Sequence, residues 1–132
     1  DGLAWAQSLG GLPALKGRAE ANLAAIARWV ERTGWIDFLV AEARARSCTS
    51  VCLKVVDDWF QRLGPDAQRA QVKTLEALLE AEGVGLDASA YRDAPPGLRI
   101  WCGATVETSD IDALLPWLDW AYAQVKSPKE AA

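Results

Sequence analysis

The stretch that most constrains this chain is Tyr91-Arg92-Asp93-Ala94-Pro95-Pro96-Gly97-Leu98-Arg99-Ile100-Trp101-Cys102-Gly103. Two prolines in a row forbid helix, and Gly97 frees the backbone behind them. The run Leu98 to Cys102 then reads as a strand, on which side chains alternate. Leu98, Ile100 and Cys102 share one apolar face; Arg99 and Trp101 point the other way. Arg99 is therefore a planar cation on a rigid element, with an aromatic neighbour on its own face. Arg92 sits before the turn, placed to fold back beside it. Two guanidinium groups at one turn form a candidate site for a small dianion, because the arginine fork matches carboxylate and phosphate oxygens. The plainer alternative is a surface or salt-bridged Arg99, since exposed charge is the norm.

The rest of the pattern alternates helix and strand. Leu3 to Leu9 reads as the tail of a helix closed by Gly10 and Gly11, and Pro13 suits the first turn of the next one. Leu12, Leu15, Ala19, Leu23, Ile26 and Val30 recur at spacings of three and four, which makes one apolar stripe. Gly34 stops that helix. At about twenty residues it is about 30 Å long, enough to run from one domain into another. Trp35 to Val40 is apolar without a clean period. Ala41 to Arg46 reads as a loop with Arg44 and Arg46 exposed. Ser50 to Val56 alternates as a half-buried strand, with Val51, Leu53 and Val55 on one face.

Asp57 to Leu63 suggests a short helical turn, and Asp66 the N-cap of a further helix. Val72, Leu75, Leu78 and Leu79 form its buried face, with Glu76, Glu80 and Glu82 solvated. Val84 to Leu86 reads as a brief strand or approach segment. The last helix starts at a Ser109-x-x-Asp112 capping pattern and is lined by Ile111, Leu114, Leu115, Leu118, Tyr122 and Val125. Pro116 inside it predicts a kink or a restart. Lys126 favours its C-terminal end, Pro128 ends it, and the tail beyond is expected to be loose. Trp29, Trp35, Trp117 and Trp120 are expected in packing roles. The order implies an α/β or α+β fold: a small antiparallel or mixed sheet covered by helices.

Composition narrows function mainly by exclusion. At 132 residues the chain makes one domain that buries about 65–70 % of its unfolded surface without staples. A net charge of −4 argues against a nucleic-acid surface. No apolar run approaches a membrane span, and no signal peptide is expected, because the N-terminus lacks the basic, apolar, small-residue order. The absence of His removes Ser-His-Asp and Cys-His catalysis and most zinc sites, so no metal site is expected. Cys48 and Cys52, if extended, stand roughly 13 Å apart. A disulfide needs about 7 Å, so all three thiols, with Cys102, read as reduced and mostly buried, as in a cytoplasmic protein. With no Met and a start at Asp1, the chain is expected to be a piece of a longer protein.

The segment Ala90 to Thr105 resembles the C-terminal substrate-binding segment of the phosphoserine aminotransferases. Arg46-Ser47-Cys48-Thr49-Ser50-Val51-Cys52-Leu53-Lys54 resembles the entry into the first strand of their small domain. Trp35-Ile36-Asp37-Phe38-Leu39 and Gly10-Gly11-Leu12-Pro13-Ala14-Leu15 also fit. The likeness is to one branch; in the other the two arginines lie one residue closer and the Pro-Pro pair is missing. The resemblance implies the C-terminal small domain of a fold-type-I enzyme, with residues 1–34 the end of the large domain and connecting helix and 35–132 the small domain. It implies pyridoxal 5′-phosphate held by a lysine of the large domain, upstream of Asp1. Lys16, Lys54, Lys73, Lys126 and Lys129 match none of the family's lysine motif, so no catalytic or cofactor-binding residue is expected here, and the chain alone should be inactive. The implied reaction moves an amino group between glutamate and 3-phosphohydroxypyruvate, giving O-phosphoserine and 2-oxoglutarate in serine biosynthesis, in a cytoplasmic homodimer. By resemblance Arg99 grips the substrate α-carboxylate and Arg92 lies on the phosphate side. The competing reading is a non-enzymatic interaction or regulatory domain that binds a small anion at Arg92 and Arg99.

Overall fold

The structure is a computed structural model, and it describes residues 1–127. Helix α1 (Gly2–Ser8) and helix α2 (Gly11–Thr33) lead into strand β1 (Ile36–Phe38). A 3-10 turn (Ala43–Ala45) precedes β2 (Ser50–Val55), α3 (Asp58–Gln61) and α4 (Pro65–Ala81). Strand β3 (Gly97–Trp101) and helix α5 (Thr108–Lys126) complete the order. The three strands form one antiparallel sheet in the order β1-β2-β3. The expected α+β fold with a small sheet is the one found.

Register decides which side chains face the helices. Phe38 stands opposite Leu53 and Ile36 opposite Val55. Leu53 stands opposite Leu98, and Val51 opposite Ile100. All seven are buried. They meet Ile26, Trp29, Leu79, Leu115 and Leu118 in one core, and α5 packs against both α2 and α4. The opposite face carries Asp37, Cys52, Lys54, Arg99 and Trp101, none of them fully buried. The helices thus cover one side of the sheet and leave the other open.

The core has an aromatic centre. Trp35 stacks on Tyr122 at 4.0 Å between centroids, and Trp29 meets Trp35 edge-on at 5.8 Å. Asp119 accepts both indole N–H groups, Trp29 at 2.9 Å and Trp35 at 2.7 Å, one on each carboxylate oxygen. A partly buried carboxylate among aromatics is tolerated because its bonds are made.

Several sequence expectations change. The buried face of α2 is Ala19, Asn22, Ala25, Ile26 and Trp29, rotated from the expected stripe, and Leu12 is 70 % exposed. Leu23 and Val30 pack partly buried at the edge of that face, and Asn22 is buried within it because its amide donates to Cys102 O and Val106 O, both at 3.0 Å, while Thr108 donates to its oxygen at 2.7 Å. Ile36–Phe38, without a legible period, is a strand because β2 supplies its partners. Arg46 is half-buried: its guanidinium lies 3.9 Å from the Phe38 ring centroid, and it donates to Val40 O and Ala41 O. Gly64, not Asp66, caps α4, with Pro65 as first residue. Residues Val84 to Leu86 form no strand. Glu107, not Ser109, precedes α5, and that helix runs through Pro116 without a restart. Pro116 and Asp112 are both exposed, so the Asp112 carbonyl that Pro116 leaves without a donor is on the solvent side of the helix. Pro128 and the tail lie outside the described residues.

Candidate active site

β3 begins where the chain leaves the Pro-Pro turn. Gly97 is required there by close approach: a Cβ on it would stand 2.2 Å from the Leu53 carbonyl oxygen across the ladder. With that contact made, Leu98, Ile100 and Cys102 are buried as the alternation predicts, and Arg99 and Trp101 emerge on the open face.

Arg99 lies on a cleft of about 630 Å³ that Arg69, Lys73, Asp87, Tyr91 and Arg92 also line. Both arginines singled out in the sequence therefore reach one cavity. Arg99 is held and Arg92 is not. The Arg99 side chain is 13 % exposed, and its Nη2 donates to Asp87 Oδ2 at 2.6 Å. Its guanidinium lies 4.5 Å from the Tyr91 ring centroid. The aromatic on Arg99 is thus Tyr91, not Trp101, whose ring lies against Gly103 and is 57 % exposed. The Arg92 side chain is exposed on the turn.

The segment before the turn is fixed on two sides. Arg99 N–H donates to Ala88 O at 2.8 Å, Ala90 N–H donates to Gly97 O, and Ser89 forms a single bridge with Leu98. This makes residues 88–90 a short rail along β3. From the other side α4 offers Arg69, Lys73 and Glu76, spaced four and three apart and so on one helix face. Arg69 Nη1 donates to Arg92 O and Ala94 O, both at 3.3 Å. Lys73 Nζ donates to Ser89 Oγ at 3.0 Å and to Glu76 Oε2 at 2.6 Å. Glu76 Oε1 accepts from Ser89 N at 3.1 Å.

Glu76 is the clearest correction: expected in solvent, it is 7 % exposed. Burial pushes its carboxyl up, but the bonds from Lys73 and Ser89 outweigh this and hold it below the usual carboxylate range. The same bond to Glu76 raises Lys73. Sequence reasoning missed Arg69, Lys73, Glu76 and Asp87 in this site. The one available signal was the shared face of the first three.

Elsewhere the thiols remain free. Burial first, then nearby Cys48, pushes the Cys102 thiol up to about 11. Among the described residues no cluster of His, Cys, Asp and Glu is arranged to hold a metal ion. No helix among them is long and apolar enough to cross a membrane.

The chain matches no family model. Over 124 residues, 94 % of its length, it is 45 % identical to the phosphoserine aminotransferase of Methanosarcina mazei (strain ATCC BAA-159 / DSM 3647 / Goe1 / Go1 / JCM 11833 / OCM 88). Over 124 residues it is 46 % identical to the phosphoserine aminotransferase of Methanosarcina barkeri (strain Fusaro / DSM 804). The chain spans 31 % of the length of each of these curated relatives. Its fold is similar to phosphoserine aminotransferase from Bacillus circulans subsp. alkalophilus, with a TM-score of 0.71 at 18 % identity over 92 % of this chain and 30 % of that one. A phosphoserine aminotransferase solved in work on radiation damage of its Schiff base gives a TM-score of 0.68 at 20 % identity, covering 92 % of this chain and 30 % of that one. At those identities the solved chains speak to the fold alone. The resemblance seen in the sequence is found along nearly the whole chain.

Proposed function

We propose that this chain is the C-terminal, substrate-gripping part of a phosphoserine aminotransferase. One observation carries the reading: the segment with the most specific resemblance, Tyr91 to Arg99, is the segment that walls the cleft lined by both arginines. In this reading residues 1–34 close the larger domain and form the connecting helix, and 35–132 form the small domain. Exposed Leu3 and Leu12 at the start suit an apolar junction with further protein. The second half of α2 also belongs to the small-domain core through Ala25, Ile26 and Trp29. The alternative, a non-enzymatic interaction or regulatory domain, is not favoured by these similarities.

Pyridoxal 5′-phosphate would supply the electron sink for amino transfer. Two of the lysines described here are engaged in ion pairs and do not fit the group that would hold it. Lys73 is tied to Glu76 with its pKa raised, and Lys126 to Asp57 at 2.5 Å. The bond to Glu76 holds Lys73 as an ammonium ion, whereas a Schiff-base lysine must be free to lose its proton. We place the cofactor in the preceding part of the enzyme and derive no chemical step from this chain.

What this chain does is bind and orient. Arg99 stands on a strand, stacked and half enclosed, so its fork is set before substrate arrives. That lowers the ordering cost of gripping an α-carboxylate. Arg92 stands on the turn and lines the same cleft, and we assign it the phosphate end. The substrates proposed are O-phosphoserine, 3-phosphohydroxypyruvate, glutamate and 2-oxoglutarate. A cytoplasmic homodimer working in serine biosynthesis follows from the family resemblance alone.

The test is kinetic, in the full-length enzyme. Arg99→Ala should lower kcat/KM on the order of 10²–10³-fold, and Arg99→Lys should recover little of it because a point charge does not replace the fork. Arg92→Ala should cost phosphorylated substrates roughly 10–200-fold, glutamate less and alanine nothing. A near-normal Arg99→Ala enzyme would sink the assignment. Equal losses from Arg92→Ala on all three substrates would make Arg92 structural.

A further inference from the structure

The guanidinium assigned to substrate already has a carboxylate on it. Arg99 Nη2 donates to Asp87 Oδ2 at 2.6 Å, while Arg99 Nε is buried with no partner among the described residues. The fork is therefore only partly used. The two members of the pair differ in freedom: the Arg99 side chain is 13 % exposed and that of Asp87 80 %. The backbone next to Asp87 is fixed, by Ala88 O on Arg99 N–H and by Ser89 N–H on Glu76. The Asp87 side chain lies in solvent apart from its bond to Arg99. Asp87 also has φ of 52°, in the left-handed region where Asp, Asn and Gly sit at least cost. That conformation delivers its carboxylate to the mouth of the cleft.

We propose that Asp87 is a resident carboxylate on Arg99 which an incoming substrate carboxylate displaces, so that Asp87 sets how tightly the site takes carboxylate ligands. The inference rests on the reading of Arg99 as the carboxylate anchor. The physical logic is competition. While Asp87 occupies the fork the site is not competent, and the apparent affinity falls by the competent fraction. Burying Arg99 without any partner would carry a desolvation cost, which the resident acid relieves in the empty site. A ligand with a phosphate and no carboxylate does not compete for the fork and is indifferent to Asp87 beyond general charge. Asp87 is thus a specificity residue acting through Arg99.

Two unreactive probes separate the effects in the full-length enzyme. 3-Phosphoglycerate carries a carboxylate and a phosphate, with no amino or keto group to transfer. Glycerol 3-phosphate keeps the phosphate and lacks the carboxylate. Asp87→Asn keeps the shape and the left-handed preference while removing the charge. By calorimetric titration it should tighten 3-phosphoglycerate about three- to tenfold and leave glycerol 3-phosphate within about twofold. Asp87→Gly, which also accepts the backbone angle, should do the same and covers a folding failure of the first variant. Unchanged or weaker 3-phosphoglycerate binding would overturn the proposal and make Asp87 an orienting group. An equal gain for both probes would also overturn it, showing only a change in overall charge. Arg99→Ala separates the two readings: if it fails to weaken 3-phosphoglycerate, the anchor assignment itself falls. If it weakens binding and Asp87→Asn does not tighten it, only the role of Asp87 falls.

Discussion

The two faces of β3 are built from the same five-residue strand, yet they hold their side chains by opposite means. On the inner face Leu98 and Ile100 are sealed by apolar contacts that have no preferred direction, with Cys102 just beyond. On the outer face Arg99 is held by directional contacts: one ion pair to Asp87, one ring from Tyr91, and a rail pinned by Glu76. Burial fixes where the strand lies. The polar contacts then fix where one cation points. A site built this way can exchange its partner without disturbing the core, because the two sets of contacts share a backbone and little else.

The largest expected effect lies on the inner side. Trp29→Ala removes a ring that is 1 % exposed and leaves one Asp119 oxygen without its donor. It should cost about 3–5 kcal/mol in urea unfolding. A loss below about 1 kcal/mol would mean that the aromatic centre is not what holds the helices to the sheet.

A smaller effect should appear in acid. Glu76 lies below the ordinary 4.5 of a free glutamate. A lowered folded pKa gives stability that is fully present above pH 4.5 and is lost as pH falls through the folded value. Asp57, held low by the Lys126 ammonium, works in the same direction from its ordinary 3.8. Glu76→Gln should therefore flatten the acid limb of a stability-against-pH curve without abolishing it, and should lower the plateau near neutrality. An unchanged acid limb would show that the rail does not depend on this carboxylate.

The mildest contrast is chemical. Cys52 is half-buried on the open face, while Cys102 points inward with no exposure and a thiol near 11. Iodoacetamide at slightly alkaline pH should label Cys52 in the folded chain and leave Cys102 until denaturant is added. Equal labelling of both would break the two-faced description of the sheet.

Patterns of period two and local punctuation were legible without coordinates. They placed β2 and β3, the inward face of Leu98, Ile100 and Cys102, the outward Arg99, and a helix around Leu75 and Leu79. Those signals survive because each is set by neighbours within a few positions. The phase of α2 was not legible, since Asn22 is buried by carbonyls some eighty residues away in sequence. Strand β1 has only three residues and exists through its pairing with β2. Glu76 read as solvated because its partner, the Ser89 backbone, belongs to a segment with no pattern of its own. The sequence by itself determined which faces are apolar and that two arginines flank one turn. Only the tertiary structure decided which carboxylate sits on Arg99 and which helix braces the turn, because hydrogen bonds and ion pairs depend on distances that sequence spacing does not carry.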